Sequence, residues 1–376
     1  MKHIHITLIG SQVYPAYLGI ADLKPDGVII VHSSSNEKEA SLLEAQIAIP
    51  STPLVLDPVD VLQVYQQVHS LRGQIDESDQ YSINLTGGTK VWSIAFYESF
   101  RFLPNVKLIY VDQNNQIYDL LTQECHLSKV LIDINTVFKL NGVQIPKSVA
   151  FSDYTPEDET CISKIHSLRR WSYESFRDLT CLDDKSQNKL TKKEGYHSDG
   201  LNYVEWNKEL NNLQVHLYNK NGVEKRVNFS APHIHSLFFN YAWFEYQVAI
   251  MLSKWEKAQE ILMNVRFPYK GRNIPKNEID IIVNTGNKLL FVECKTQISD
   301  ITDIDKFRTA VKNYGGMSSK SLFITLDKMK DTAKEKCADS NIMSFSIKDC
   351  TIETPETPER ELIRMLDQEL FSINKK

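Results

Sequence analysis

Over residues 1–111 short, nearly continuous apolar runs alternate with longer runs whose apolar positions recur every 3.6 residues. The short runs Ile4–Ile9, Gly27–His32, Pro53–Leu56, Tyr81–Leu85 and Val106–Val111 predict strands, and Asn36–Ala48, Val59–Leu71 and Gly88–Phe102 predict helices. Strands that are apolar throughout are buried on both faces. Alternation with helices then gives an α/β unit, a parallel sheet covered on both sides and Rossmann-like in plan. Leu108–Val111 and Gln116–Leu121, on either side of Asn114-Asn115, predict an antiparallel hairpin at its edge.

The pattern breaks over 142–158, where Gly142, Pro146, Pro156 and the acidic run Glu157-Asp158-Glu159 mark a linker. The expected division is a first domain over 1–145, a linker and small α+β middle segment over 146–232, and a last domain over 233–376. The middle segment holds a helix at Cys161–Thr180 and a hairpin turning at Asn219–Gly222. The last domain is mixed α/β. A long helix, Phe238–Trp255, leads into strands Glu278–Asn284 and Lys288–Thr296, followed by a helix (Asp303–Asn313), a strand (Ser321–Leu326), a helix (Lys328–Ala338) and a strand (Met343–Ile347).

Composition narrows the function. A chain of 376 residues with 42% hydrophobic residues folds rather than staying disordered. Its formal charge is -5, and residues 1–145 alone carry 9 basic and 15 acidic side chains, so a polyanion must be captured by local donors, not by the overall field. No apolar run is long enough for a membrane span, and the start enters a strand pattern; the expectation is a cytoplasmic protein with no membrane partner. The six cysteines form no C-x-x-C pair, which argues against a zinc knuckle or a redox couple.

The densest chemistry lies in residues 277–297, NEIDIIVNTGNKLLFVECKTQ. A two-residue turn at Gly286-Asn287 sets Thr285 against Lys288, and counting back places Asp280 opposite Glu293, with Lys295 on the same face. Two carboxylates paired across strands at the ends of apolar runs repel each other. A hard divalent cation, Mg²⁺ or Mn²⁺, would neutralise them; the expected metal set is Asp280, Glu293 and Cys294, two carboxylates with a backbone carbonyl. Lys295 would orient or deprotonate a water. Glu245, in a helix apolar on nearly every side, either joins this site or pairs with Arg266.

The order Glu245, Asp280, Glu293-Cys294-Lys295, with the helix first and the acids on consecutive strands, resembles the PD-(D/E)XK nuclease superfamily, with Ile279 in place of the usual proline. Gln297 resembles the glutamine of several branches. The resemblance covers about 235–350 and implies a restriction-endonuclease-like fold and metal-dependent phosphodiester hydrolysis, with Glu245, Asp280, Glu293, Lys295 and Gln297 as catalytic residues.

The first expected strand ends in Gly10-Ser11-Gln12, and the fourth in Asn84-Leu85-Thr86-Gly87-Gly88-Thr89-Lys90, which opens a helix. Ligands of parallel sheets bind beyond the carboxyl ends of the strands, and such a turn offers amides to an anion. The glycine spacing fits neither a dinucleotide fingerprint nor a P-loop. This pair of motifs resembles the CRISPR-associated Rossmann-fold (CARF) sensor domain over about 1–145. That resemblance implies a homodimer binding a cyclic oligoadenylate, most often the tetra-adenylate, with Gly10, Ser11, Gln12, Thr86, Gly87, Gly88, Thr89 and Lys90 on the ligand and Asn84 orienting the turn. Asp112-Gln113-Asn114 either lines the pocket or only shapes a turn.

The two resemblances together imply an accessory nuclease of type III CRISPR defence that cyclic oligoadenylate activates to cut or nick DNA, single-stranded RNA or both. Two alternatives stay open at this stage: an ungated restriction or repair endonuclease, and a nucleotide-responsive DNA-binding regulator. A sensor that hydrolyses its own messenger is disfavoured, because Ser11 and Lys90 have no base beside them in the motifs.

Overall fold

The computed structural model describes all residues except 144–146, 183–188, 269–274, 299–300, 316–318, 354–355 and 372–376. It divides into two units. The first holds Met1–Pro146 together with Asn284–Leu289 and Lys312–Ser318; the second holds the remainder.

The first unit is built on a seven-stranded sheet of order β3-β2-β1-β4-β5-β6-β7. The strands are β1 (His3–Leu8), β2 (Gly27–His32), β3 (Ser51–Val55), β4 (Gln80–Asn84), β5 (Val106–Val111), β6 (Gln116–Asp119) and β7 (Cys125–Leu127). The first five pair in parallel, Ile6 sitting beside both Ile29 and Ile83, and β6 and β7 add antiparallel at the edge. Ile6, Ile83 and Leu108 are fully buried, which is why these strands read as continuous apolar runs. The expected helices are found at Glu37–Glu44, Val61–Arg72 and Lys90–Phe100. Tyr14–Leu23 and Ile134–Leu140 are further helices that the sequence pattern missed.

The second unit has two sheets. Strands β8 (Lys147–Ala150), β13 (Glu260–Pro268), β14 (Pro275–Asn284), β15 (Leu289–Lys295), β16 (Ser319–Thr325) and β17 (Met343–Ser346) form one, in the order β17-β16-β15-β14-β13-β8. Strands β9 (Glu194–Ser198), β10 (Tyr203–Asn207), β11 (Asn212–Tyr218) and β12 (Glu224–Ser230) form an antiparallel meander.

Three expectations are corrected here. Residues 147–150, expected in the linker, are β8 and pair with β13, so the middle segment belongs to the same unit as the last domain; Pro146 lies outside the described residues. The helix expected over Cys161–Thr180 is two helices, Pro156–Trp171 and Tyr173–Thr180, parted at the extended Ser172. The helix expected over Phe238–Trp255 is broken at Tyr241, whose φ of +63° cannot continue a helix, and the carboxylate-bearing helix is Ala242–Ser253.

Candidate active site and ligand pocket

Asp280 and Glu293 come from β14 and β15, joined by a tight turn in which Thr285 N donates to Lys288 O at 3.0 Å and Gly286 takes φ +89°. A glycine at the first central position is what a two-residue hairpin of this form requires. Lys295 Nζ lies 2.5 Å from Glu293 Oε1 and 4.0 Å from Asp280 Oδ2. Asp280 Oδ2 also accepts from the backbone N–H of Cys294 at 2.7 Å. Cys294 thus meets Asp280 through its backbone; its side chain is buried, and burial pushes the thiol well up.

Glu245 sits in the first turn of Ala242–Ser253, with its Oε2 buried and without a hydrogen-bond partner among the described residues. Arg266 instead pairs with Glu278, at 3.0 Å. Burial, then the charge of Asp280, raises Glu245 well above the ordinary carboxylate range. Burial raises Asp280 as well, against the pull of Lys295 and the Cys294 N–H. Glu293 is pushed up to about 8, by burial first and by Asp280 second. Burial works against the charge of Lys295, but Asp280 and Glu293 outweigh it and raise its pKa. Gln297 is not on the strand: β15 ends at Lys295, and Gln297 is exposed beyond it.

This electrostatic load has a measurable consequence in metal-free protein. Unfolded, Glu293 ionises near its ordinary 4.5; folded, it stays protonated up to about 8. The unfolded chain therefore holds fewer protons between those values, and stability falls as pH rises through that window. Thermal melting in EDTA should show this decline, and Glu293→Gln should flatten it. Equal slopes in both proteins would contradict the burial of an ionisable Glu293.

In the first unit the two motifs meet at the carboxyl ends of β1 and β4. The turn after β4 lies against the end of β1 so closely that a Cβ on Gly87 would stand 2.0 Å from the Leu8 carbonyl oxygen; only glycine fits. Asn84 Oδ1 accepts from Thr86 N at 3.0 Å and from its hydroxyl at 2.7 Å, so Asn84 orients the turn. Thr86 Oγ1 also accepts from Val111 N at 2.7 Å, which commits that hydroxyl to structure. Thr89 caps the helix Lys90–Phe100, accepting from Trp92 N, and Lys90 is exposed. Asp112 Oδ1 accepts from Asn114 N and Gln116 N, which is turn chemistry. Ser11, Gln12 and Tyr14 line a cavity of about 280 Å³ together with Asn287 and Lys288 of the 284–289 turn. Tyr14 had not been singled out; its hydroxyl donates to Gly286 O at 2.9 Å.

Residues 4–137 match the family model described as the Card1 CARF domain, and residues 234–345 match the Card1-like endonuclease domain. The chain carries a Card1 CARF domain followed by a Card1-like endonuclease domain. The CARF match covers both glycine-bearing turns, and the endonuclease match covers Glu245, Asp280, Glu293 and Lys295. No curated protein matches this CARF nuclease in sequence. Among solved structures it is similar to Can2 from Sulfobacillus thermosulfidooxidans in complex with cyclic tetra-adenylate (TM-score 0.63, 16% identity, 98% of this chain and 99% of that one). It is similar to protein VC1899 from Vibrio cholerae (0.68, 14%, 96% and 97%). A type III CRISPR defence DNA nuclease activated by cyclic oligoadenylate also matches (0.56, 14%), over 97% of this chain but 51% of that one. At such identities the likeness is one of fold.

Proposed function

We propose that this Card1-like CARF nuclease is a homodimeric, metal-dependent endonuclease of type III CRISPR defence, switched on by cyclic tetra-adenylate and cutting DNA, single-stranded RNA or both. The observation that carries the reading is the buried carboxylate cluster: Asp280 and Glu293 share one lysine, with an unpartnered Glu245 oxygen. Among the described residues no three His, Cys, Asp or Glu side chains are grouped to hold a metal ion by themselves, and the proposed donor set is two carboxylates with a backbone carbonyl. That all-oxygen set fits a hard cation. Asp280, Glu293 and the Cys294 carbonyl would hold Mg²⁺ or Mn²⁺, which would supply Lewis-acid stabilisation of charge on the phosphoryl oxygens. Lys295 would orient the attacking water, and Glu245 would add acceptor capacity in a site shielded from solvent.

The sensing half rests on Ser11, Gln12, Gly87, Gly88, Thr89 and Lys90, grouped at the strand ends with an exposed ammonium and a helix N-terminus. The turn that lines the cavity is continuous with β14, and Asn284 lies four residues from Asp280 along that strand. A ligand that favours one setting of this turn thereby biases the setting of the acids.

The test offers supercoiled plasmid and labelled single-stranded RNA to the full chain in Mg²⁺, Mn²⁺ or EDTA, beside cyclic tetra- or hexa-adenylate. Cleavage requiring metal and the tetra-adenylate is the expected result. Metal-independent cleavage, or none on either substrate, would overturn the reading. Among the described residues no helix is long and apolar enough to cross a membrane.

A further inference from the structure

Arg169, on the helix Pro156–Trp171, plays no part in the chemistry above. Its guanidinium lies 5.0 Å from the ring centre of Tyr173 and 5.6 Å from that of Trp243. The side chain is only 18% exposed, and its Nε is buried without a hydrogen-bond partner. Its one ion pair among the described residues is with Asp327 at 3.9 Å, too long for a hydrogen bond. A guanidinium has five N–H donors, and leaving them short of acceptors in a largely buried setting is costly. The two rings hold the guanidinium in place; its Nε is buried, so the Nη donors on the exposed part of the side chain are those that can meet the paired oxygens of a phosphate.

Asp327 ties Arg169 to the carboxylate site, whereas Trp243 stands two residues before Glu245 on the same helix and so on its opposite face. Asp327 N donates to Thr296 O at 3.0 Å, just as Leu326 N donates to Lys295 O at 3.1 Å, so Asp327 lies against the strand end that carries Lys295. Arg170 follows on the same helix and is exposed, so this edge is basic.

We propose that Arg169 binds a phosphodiester of the nucleic-acid substrate beside the bond being cut, a substrate-binding residue that the nuclease motif does not contain. This rests on the endonuclease reading and extends it from the second unit's cluster to a helix of the middle segment. Phosphate binding by an arginine fork depends on its planar geometry as well as its charge, so lysine replaces it only in part.

The experiment measures binding of labelled single-stranded DNA and RNA oligonucleotides to full-length Glu293→Gln protein, which holds the strand without cutting it, across a salt series. Arg169→Ala in this background should weaken binding to at least one strand about tenfold, and reduce the salt slope by about 0.7, one phosphate contact on a single strand. Arg169→Lys should keep the slope and recover only part of the affinity. Asp327→Asn, which frees the guanidinium, should bind as tightly as the parent or more so. In the cleaving protein, Arg169→Ala should raise KM about tenfold with kcat within about threefold.

Unchanged affinity and slope in Arg169→Ala would overturn the proposal, as would a parent that binds neither strand. A loss in Asp327→Asn equal to that in Arg169→Ala would make the arginine a structural ion-pair partner. Should the alanine variant fail to fold, the lysine and asparagine variants decide. A parent that binds through Arg169 while the cleaving protein cuts nothing would remove the endonuclease reading and keep the binding residue.

Discussion

Asp280→Ala is expected to lower the single-turnover rate of cleavage by roughly a thousandfold or more at saturating Mg²⁺, since a metal-assisted step loses several kcal/mol of charge stabilisation. Asp280 bears on three things at once. It supplies a carboxylate to the cluster, sits 4.0 Å from Lys295 Nζ, and accepts the Cys294 N–H at 2.7 Å. Asp280→Asn keeps an acceptor for that N–H and removes the charge, so it separates chemistry from local structure. Asp280→Asn should melt at or above the wild-type temperature in EDTA, because burial raises Asp280 and makes its ionised form a cost to the metal-free fold, whereas Asp280→Ala, which leaves the buried Cys294 N–H without its acceptor, should melt below Asp280→Asn. A rate within tenfold of wild type in either variant would contradict the placement of Asp280 on the metal.

The second large effect is expected in the CARF domain. Gln12→Ala with Lys90→Ala should raise the cyclic tetra-adenylate concentration for half-maximal cleavage by roughly a hundredfold. Losing one charge-assisted hydrogen bond, about 1.5–3 kcal/mol, and one neutral bond accounts for that shift. Gln12 lines the cavity, while Lys90 is an exposed cation at the start of its helix, so neither substitution disturbs the sheet. The maximal rate should return at high messenger, because the nuclease residues are untouched. Messenger titrations of plasmid nicking check this. Messenger binding lost with cleavage unaltered would show that the two activities are not coupled.

Much of this arrangement was legible in the chain, for reasons that particular residues make plain. The central runs β1 and β4 are buried on both faces, so Ile6 and Ile83 announce themselves without any alternation to interpret, whereas the edge strand β3 is half-exposed. Gly286-Asn287 fixes a two-residue turn, and from that register alone Asp280, Glu293 and Lys295 fall on one face. Tyr14–Leu23 escaped notice because it is apolar almost all round, with Pro15 in its first turn, and lacks a polar stripe to set a helical period. Strand β13 was hidden by a register shift between Met263 and Arg266, where Asn264 takes φ +51° and breaks the alternation.

The break at Tyr241 was invisible for the opposite reason, since Leu237–Tyr246 is aromatic or aliphatic at nearly every position and gives no phase. Gln297 falls off the strand face because the spacing assumes a strand continuing past Lys295, where it ends. Arg169 could not be read at all, since Tyr173, Trp243 and Asp327 are brought to it only by the fold.

The most direct test of the central claim is the ratio of cleavage rates of one full-length preparation with and without cyclic tetra-adenylate at fixed Mg²⁺, on supercoiled plasmid and on single-stranded RNA. A ratio of a hundred or more on at least one substrate, abolished by Asp280→Ala, is the predicted result. A ratio of one on a substrate that is cut would leave a nuclease that ignores its CARF domain, and would contradict the account.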